Sequence, residues 1–181
     1  VVVASPDQFH AEQSVRALKA GKHVACEKPL APTVADCRRI IEAVRSTGKE
    51  FMTGQVCRYA PCFKLMKQLI EAGRIGEIVA MEGSYAHDYT EAPGWEDWRK
   101  CAEVGRYGFL GGGCHSLDLL RYLAGNPQEV CCYMNQKFLK DWSKPDTGVA
   151  IAKFPNDVIA RIFVSIGIKA PYTMGTIVYG T

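Results

Sequence analysis

The sequence predicts an α/β chain with two parts: a parallel sheet covered by helices, then an antiparallel or mixed sheet that carries one inserted helix. In the first part, short apolar segments alternate with stretches whose apolar residues recur at helical spacing, as expected for strands joined by crossover helices. Further along, strand-like segments follow one another without helices between them, which favours antiparallel pairing. We place the boundary near Tyr59, which divides the chain into residues 1–58 and 59–181.

The first of these parts is expected to alternate strictly between strand and helix, and a further helix follows the boundary. The predicted strands are Val1–Ala4, His23–Cys26 and Phe51–Gly54, and the predicted helices are Gln8–Ala20, Val34–Thr47 and Pro61–Ala72. Thr33 can cap the second helix with its hydroxyl, and Gly48 can end it, because glycine accepts the left-handed conformation found after many helices.

The second part is expected to be mostly strand. Its predicted elements are a strand Glu77–Tyr89, a loop Thr90–Gly113, a helix Ser116–Ala124, and the strands Val130–Met134, Thr147–Phe154 and Val158–Ile166. On the first strand, Val79, Met81 and Tyr85 should share one side, since alternate residues of a strand face the same way. The last strand carries apolar residues on both sides, which favours a subunit interface on one of them.

Composition excludes several classes of function. The 181 residues are 48% hydrophobic and 23% charged, with a net charge of +3, and no basic, aromatic-rich patch suggests nucleic acid. No apolar run is long enough for a membrane span and no secretory leader is visible, so we expect a cytoplasmic location. The chain opens inside an apolar strand without a methionine, which we interpret as part of a longer protein.

The eight cysteines show no paired spacing of the zinc-ribbon type. In the absence of an export signal, we interpret them as reduced thiols that behave as small hydrophobic residues. Cys114 and His115 are adjacent but have no further visible ligands, so no metal site is predicted.

Lys28 is the first candidate for chemistry. It follows the second predicted strand and therefore lies at the carboxyl edge of the sheet, where doubly wound proteins bind ligands. Pro29 keeps Lys28 in an extended backbone and out of the next helix. The alternative is a solvated surface lysine. Glu27 should point to the other face, either positioning the loop or forming a surface ion pair.

His115 is the second candidate, because it follows three glycines that can let the backbone approach a ligand closely. Asp118 lies three residues later on the same helical face and can orient the imidazole or simply cap the helix. In the preceding loop, Trp98 and Arg99 suit a sugar pocket, since indole rings stack on sugars and guanidinium groups donate to hydroxyls. A packed loop with a surface arginine is the alternative.

These residues together resemble the Gfo/Idh/MocA family of glucose-fructose oxidoreductases, inositol dehydrogenases and related NAD(P)-dependent sugar dehydrogenases. The resemblance rests, in chain order, on Ala4-Ser5-Pro6 with His10, Glu27-Lys28-Pro29-Leu30, Arg58-Tyr59 with Pro61, Gly73-Arg74-Ile75-Gly76-Glu77-Ile78, and Gly111-Gly112-Gly113-Cys114-His115 with Asp118. It implies a partial Rossmann dinucleotide-binding domain followed by an open, largely antiparallel sheet domain, incomplete at its carboxyl end. The glycine-rich fingerprint and the residue selecting NAD or NADP are then expected upstream of Val1.

The resemblance also implies roles for individual residues. Lys28 would act at the substrate hydroxyl, and His115 would contact the substrate or accept its proton. From their own chemistry and position, we expect Asp118, Trp98 and Arg99 at the same site. The cofactor, NAD or NADP, would lie along the ends of the first two strands. Its predicted contacts there are Ser5, Pro6, His10, Glu27 and Lys28.

The chain departs from the family at one position, because Gly111 stands where many members carry an aspartate four residues before the histidine. One expectation is that catalysis depends on Lys28 and His115 alone, in hydride transfer between nicotinamide and a secondary alcohol carbon of a sugar, inositol or related polyol. The alternative is a regulatory relative that binds dinucleotide without turnover. The family also implies a homo-oligomer, a dimer or tetramer, assembled through the open sheet.

Overall fold

The carboxyl edge of a small parallel sheet organises the first part of the molecule. The computed structural model describes residues 1–91, 98–100, 104 and 106–181. Strands β1 (Val2–Val3), β2 (Val24–Cys26) and β3 (Phe51–Thr53) pair in parallel in the order β1-β2-β3. Helices α1 (His10–Lys19) and α2 (Val34–Thr47) connect them. Both crossovers are therefore strand–helix–strand units, as the sequence predicts.

Local signals set the ends of α2. The Thr33 hydroxyl accepts a hydrogen bond from the Asp36 backbone N–H at 3.1 Å, which satisfies one of the amides left free at a helix start. Gly48 follows the helix with φ of +62°, the left-handed conformation that costs glycine least. Both predicted helix ends are confirmed.

The second part is a five-stranded mixed sheet with helices beside it. Its elements are α3 (Pro61–Glu71), β4 (Ile78–Ala86), α4 (Cys114–Ala124), β5 (Glu129–Asn135), β6 (Thr147–Lys153), β7 (Ile159–Ser165) and β8 (Thr173–Gly180). The strand order is β5-β6-β7-β4-β8, in which only the β4–β7 pair is parallel. The sequence missed β8, the edge strand beside β4.

The predicted face of β4 is wrong at one residue. Met81 and Tyr85 are buried, but Val79 is 52% exposed. The pairing of β4 with β8 shifts register between Ile78 and Ala80, and a bulge of this kind takes a residue out of the regular alternation.

The core of the second part lies between this sheet and α4. Leu120 and Leu123 of α4 pack in one cluster with Met81 of β4 and with Ile162 and Val164 of β7. Burial of these side chains fixes the start of α4 against the sheet and so fixes the position of His115.

Within the described residues, no helix is long and apolar enough to cross a membrane.

Candidate active site

A hydrogen bond between the two parts of the chain marks the candidate site. Lys28 follows β2 at the carboxyl edge of the parallel sheet, and its Nζ donates to the Gly111 carbonyl oxygen at 2.9 Å. Gly111 lies one helical turn before His115, so the bond brings the two candidate residues near each other, and the charge of Lys28 acts on His115. The peptide bond between Lys28 and Pro29 is cis.

The glycines before His115 belong to a helix rather than to the predicted loop. Residues Phe109–Gly113 form a short π-helix that continues directly into α4, a local irregularity that often accompanies functional sites. A Cβ atom on Gly112 would overlap the Tyr85 ring, and one on Gly113 would overlap Val164. The close approach that these two glycines permit is therefore to the protein's own sheet, and the expectation of an approach to a ligand is wrong for them.

His115 is buried and neutral at physiological pH. Only 8% of it is exposed, and its Nδ1 lies 3.3 Å from the Cys57 Sγ. Burial, followed by the positive charge of Lys28, lowers the pKa of His115 to about 4, against weaker opposing effects of Asp118 and Glu27. A neutral imidazole can accept a proton, as a general base must.

Asp118 does not orient the imidazole. Its two carboxylate oxygens accept hydrogen bonds from Nε and Nη2 of Arg58, each at 2.6 Å. Arg58 belongs to a short 3₁₀ helix, Val56–Tyr59, that follows β3, and the planar guanidinium matches a carboxylate in this bidentate geometry. This pair is a bridge between the two parts of the chain, so the expectation that Asp118 fixes the tautomer of His115 is corrected.

Asp118 still faces open space. Together with Gln55 and Arg58 it lines a cavity of about 440 Å³ at the end of β3. The buried Gln55 Oε1 has no hydrogen-bond partner among the described residues. Such an orphaned acceptor at the carboxyl edge of the sheet is suited to a ligand N–H group.

A buried ion pair occupies the space at Gly111. A Cβ on Gly111 would lie 2.8 Å from Arg106 Nε, so Arg106 fills the volume that a side chain would need there. Arg106 Nη2 donates to the Gly111 oxygen at 3.3 Å, and Nη1 pairs with Asp7 of the first part. The side chains of Arg106 and Asp7 are 7% and 3% exposed. Neither residue is predicted from the sequence, although Asp7 directly follows the Ser5-Pro6 segment.

The two predicted loop residues lie beside Arg106. The Trp98 ring centroid is 4.8 Å from Cζ of Arg99 and 5.0 Å from Cζ of Arg106, both typical of cation–π contacts. Trp98 is thus packed against guanidinium groups. The rest of the predicted sugar-binding segment, residues 94–97 with Trp95, lies outside the described residues.

His10 has a supporting position. It is 1% exposed, and its Nδ1 and Nε2 each lie 2.8 Å from a carbonyl oxygen, those of Pro29 and Ser5. Carbonyls only accept, so both nitrogens must donate and the ring is a cation. Burial opposes that charge, but hydrogen bonds to Cys26, Pro29 and Ser5 outweigh it and raise the pKa of His10 to about 9. His10 therefore ties the loops after β1 and β2 together.

The other predicted cofactor residues are near the same loops. The Ser5 hydroxyl donates to Oε1 of Gln13 in α1 at 2.8 Å. Pro6 precedes the short 3₁₀ helix Asp7–Phe9 that leads into α1. Glu27 is exposed, and its Oε2 accepts from the Lys28 backbone N–H at 3.1 Å. Direct pairing of the Glu27 and Lys28 side chains was not expected, and the Lys28 ammonium bonds to Gly111 instead.

An aromatic cluster that the sequence analysis missed lies on the side of β4 and β8. The His87 ring centroid is 5.1 Å from that of Tyr89 and 4.9 Å from that of Tyr172, in edge-to-face contacts. Tyr172 is 57% exposed, and its hydroxyl lies 3.9 Å from Met174 Sδ. The only signal in the sequence was the position of Tyr172 just before the strand that was not predicted.

Comparison with known proteins identifies the family. A family model described as oxidoreductase family, NAD-binding Rossmann fold, matches residues 1–55, and that of the Gfo/Idh/MocA C-terminal domain matches residues 63–181. The chain belongs to the Gfo/Idh/MocA family. The fold expected from the sequence, a Rossmann-type parallel sheet followed by a mostly antiparallel one, is confirmed.

Individual family members are similar over much of the chain. A levoglucosan dehydrogenase of Pseudarthrobacter phenanthrenivorans is 36% identical over 127 residues, which cover 69% of this chain and 33% of that protein. A 1,5-anhydro-D-fructose reductase of Ensifer adhaerens is 32% identical over 183 residues, covering 100% of this chain and 54% of that protein. The chain thus spans between 33% and 54% of the length of these two relatives.

A solved structure supports the same assignment. Levoglucosan dehydrogenase in complex with NADH and levoglucosan superposes with a TM-score of 0.92 at 26% identity, covering 100% of this chain and 51% of that one. A myo-inositol 2-dehydrogenase from Lactobacillus plantarum gives a TM-score of 0.89 at 25% identity, covering 99% of this chain and 54% of that one.

Proposed function

We propose that the protein containing this Gfo/Idh/MocA chain is an NAD(P)-dependent dehydrogenase acting on CH–OH groups. It would transfer a hydride between nicotinamide and a secondary alcohol carbon of a sugar, inositol or related polyol. One observation carries the proposal: the 2.9 Å hydrogen bond from Lys28 Nζ to Gly111 O, which holds a cation one turn from a buried, neutral His115. A hydroxyl that must lose its proton as hydride leaves needs both a donor and a proton acceptor nearby.

The residues at the carboxyl edge fit a dinucleotide. The edge is formed by three parallel strands, and the buried Gln55 Oε1, which has no partner in the part of the chain that the structure describes, offers an acceptor to a carboxamide N–H. Ser5, Pro6 and Glu27 would hold the cofactor at the loops after β1 and β2, and His10 would keep those loops together. When bound, the nicotinamide supplies the carbon that accepts or donates the hydride.

Lys28 and His115 then have separate tasks. An ammonium group has three donors, and the bond to Gly111 uses one of them, so Lys28 can also donate to the substrate oxygen. His115, kept neutral by burial and by Lys28, accepts the hydroxyl proton. Trp98, Arg99 and Asp118 would contact the remaining hydroxyls of the substrate. The dehydrogenase relatives of sugars and inositol support this substrate class.

A hydride-transfer screen of the full-length protein tests the proposal. Inositols, hexoses and sugar acids would be offered with NAD or NADP, and reduced nicotinamide would be followed by absorbance. We expect Lys28→Ala to lower turnover by about 10²- to 10⁴-fold, because it removes the group at the reacting oxygen. Cofactor affinity should change little. Lys22→Ala, at an exposed lysine before β2, is the matched control. Near-normal turnover by Lys28→Ala would contradict the proposed role of Lys28 at the substrate oxygen.

A regulatory relative is the second candidate, and Gly111 is the observation that favours it. Where many members carry an acid, Lys28 here faces a backbone carbonyl, and Arg106 adds a second cation. Dinucleotide binding without turnover on any substrate in the same screen would support this alternative.

We also propose a cytoplasmic homo-oligomer assembled through the open sheet. The outward face exposes apolar side chains that the strand pairing brings into adjacent rows, and patches of this kind mark interfaces. They include Tyr133, Val149, Ile151, Ile159 and Ile177. We expect Ile151→Lys to convert a dimer or tetramer into smaller species in a mass measurement. The buried free thiols of Cys26 and Cys57 suit a reducing compartment.

A further inference from the structure

His115 is the end of a short chain of sulfur contacts. Its Nδ1 lies 3.3 Å from the Cys57 Sγ, and that sulfur lies 3.7 Å from the Met174 Sδ. The three residues come from α4, the 3₁₀ helix after β3 and β8. Cys57 is 9% exposed and His115 is 8% exposed, so the contacts are sheltered from water.

The two hydrogen bonds of Cys57 can exist together in only one arrangement. A thioether has no proton, so Met174 can only accept, and the Cys57 thiol must be the donor. With its proton directed at Met174, the Cys57 sulfur can only accept from His115. The imidazole proton is then on Nδ1, and the lone pair is on Nε2.

We propose that Cys57 and Met174 are positioning residues that hold His115 in the Nδ1–H tautomer, with Nε2 ready to accept the proton of the substrate hydroxyl. The inference rests on the proposed function for the identity of that proton. In the reaction, the O–H bond breaks, the proton moves to Nε2, and the resulting imidazolium keeps its Nδ1–H bond to the Cys57 sulfur.

The surroundings of His115 leave this task to Cys57. The carboxylate of Asp118, which could have accepted from Nδ1–H, is held by Arg58 through both oxygens. Burial raises the pKa of the Cys57 thiol, so the sulfur keeps the proton that it donates to Met174. The charged groups that act on His115 are Lys28, Asp118 and Glu27. Burial and these charges together keep His115 neutral. Its tautomer then decides whether Nε2 is free to accept a proton.

Nitrogen-15 NMR of the full-length protein, labelled at histidine, tests the proposal directly. In the native protein we expect the Nε2 signal of His115 at the position of an unprotonated nitrogen and the Nδ1 signal at that of a protonated one. Met174→Leu keeps the volume but removes the acceptor, so the thiol proton becomes available to Nδ1 and the Nε2–H tautomer should rise. Cys57→Ala removes the partner of Nδ1 and should have the same effect.

Kinetics gives the second readout. We expect both variants to lower kcat by about fivefold, the worth of one ordinary hydrogen bond, with little change in substrate KM. Cys57→Ser, which keeps a donor and acceptor, should recover part of the loss. Met81→Leu, at a buried methionine of β4 outside the site, is the matched control and should change neither readout.

The outcomes separate this inference from the proposed function. A native His115 with its proton on Nε2, or variants that leave the tautomer unchanged, would overturn the positioning role of Cys57 and Met174 even in an active dehydrogenase. The Nδ1–H tautomer in a protein without turnover would support the positioning role of Cys57 and Met174 and contradict the proposed dehydrogenase activity.

Discussion

Two buried histidines, one in each part of the chain, differ in charge. His10, at the start of α1, lies between two carbonyl oxygens at 2.8 Å and is a cation. His115, at the start of α4, faces a thiol and feels the positive charge of Lys28, and it is neutral. Both are less than a tenth exposed, so burial alone does not decide the charge. The partner atoms decide it: they make one ring a structural clamp and leave the other neutral, as its proposed role of base requires.

The largest expected effect comes from removing the neutral ring. His115→Gln should lower turnover by about 10²-fold or more, because His115 is the residue proposed to take the hydroxyl proton. Steady-state kinetics of the full-length protein on the substrate found by the screen would measure it. His23→Gln, at an exposed histidine before β2, is the control. Turnover within a few-fold of native would remove His115 from the proposed chemistry.

The pH dependence of activity tests the lowered pKa of His115. Burial and Lys28 place the pKa of His115 at about 4, so activity should be kept down to that pH and be lost as the imidazole is protonated below it. An ordinary histidine base would lose activity near pH 6.5. The log of kcat/KM against pH between 3.5 and 7 is the measurement. An acid limb at pH 6 to 7 would contradict the assigned environment.

His10 should change stability with pH in the opposite sense. Its pKa is raised from 6.5 to about 9, so its stabilisation is fully present below pH 6.5 and is lost as pH rises through 9. The shift corresponds to about 3 kcal/mol of unfolding free energy. His115, with a lowered pKa, instead destabilises the fold as pH falls from 6.5 towards 4.

Urea unfolding of the full-length protein between pH 6 and 9.5 measures the contribution of His10. The His10→Gln variant should lose most of the fall in stability that the native protein shows over this interval. An equal fall in both proteins would mean that His10 is not a cation in the folded state.

A smaller effect is expected at Gly111, where the acid of many family members could be restored. In Gly111→Asp the new Cβ would lie 2.8 Å from Arg106 Nε, so the ring of contacts around Lys28 must shift. Overpacking of this kind costs about 1–3 kcal/mol. In thermal unfolding, the single variant Gly111→Ala, which adds the Cβ without a new charge, should show the same loss. If the single variant is as stable as the native protein, Arg106 does not fill that space.

Features that depend on neighbours along the chain could be predicted from the sequence. Strand and helix alternate as predicted up to α3, and Thr33 and Gly48 set the ends of α2 through contacts within one turn. Lys28 lies at the carboxyl edge because any residue directly after β2 must lie there. The weakly alternating, glycine-containing β8 was missed, since its conformation depends on pairing with the distant β4.

The contacts between distant side chains could not be predicted, because they depend on the folded arrangement. Arg58 and Asp118 are 60 residues apart, and Asp7 and Arg106 are 99 apart, so no local pattern links them. The charge of His10, the neutrality of His115 and the sulfur contacts of Cys57 all follow from such long-range meetings. Periodicity and turn residues set secondary structure locally, whereas the charge and the proton of a buried group depend on atoms that folding alone brings beside it.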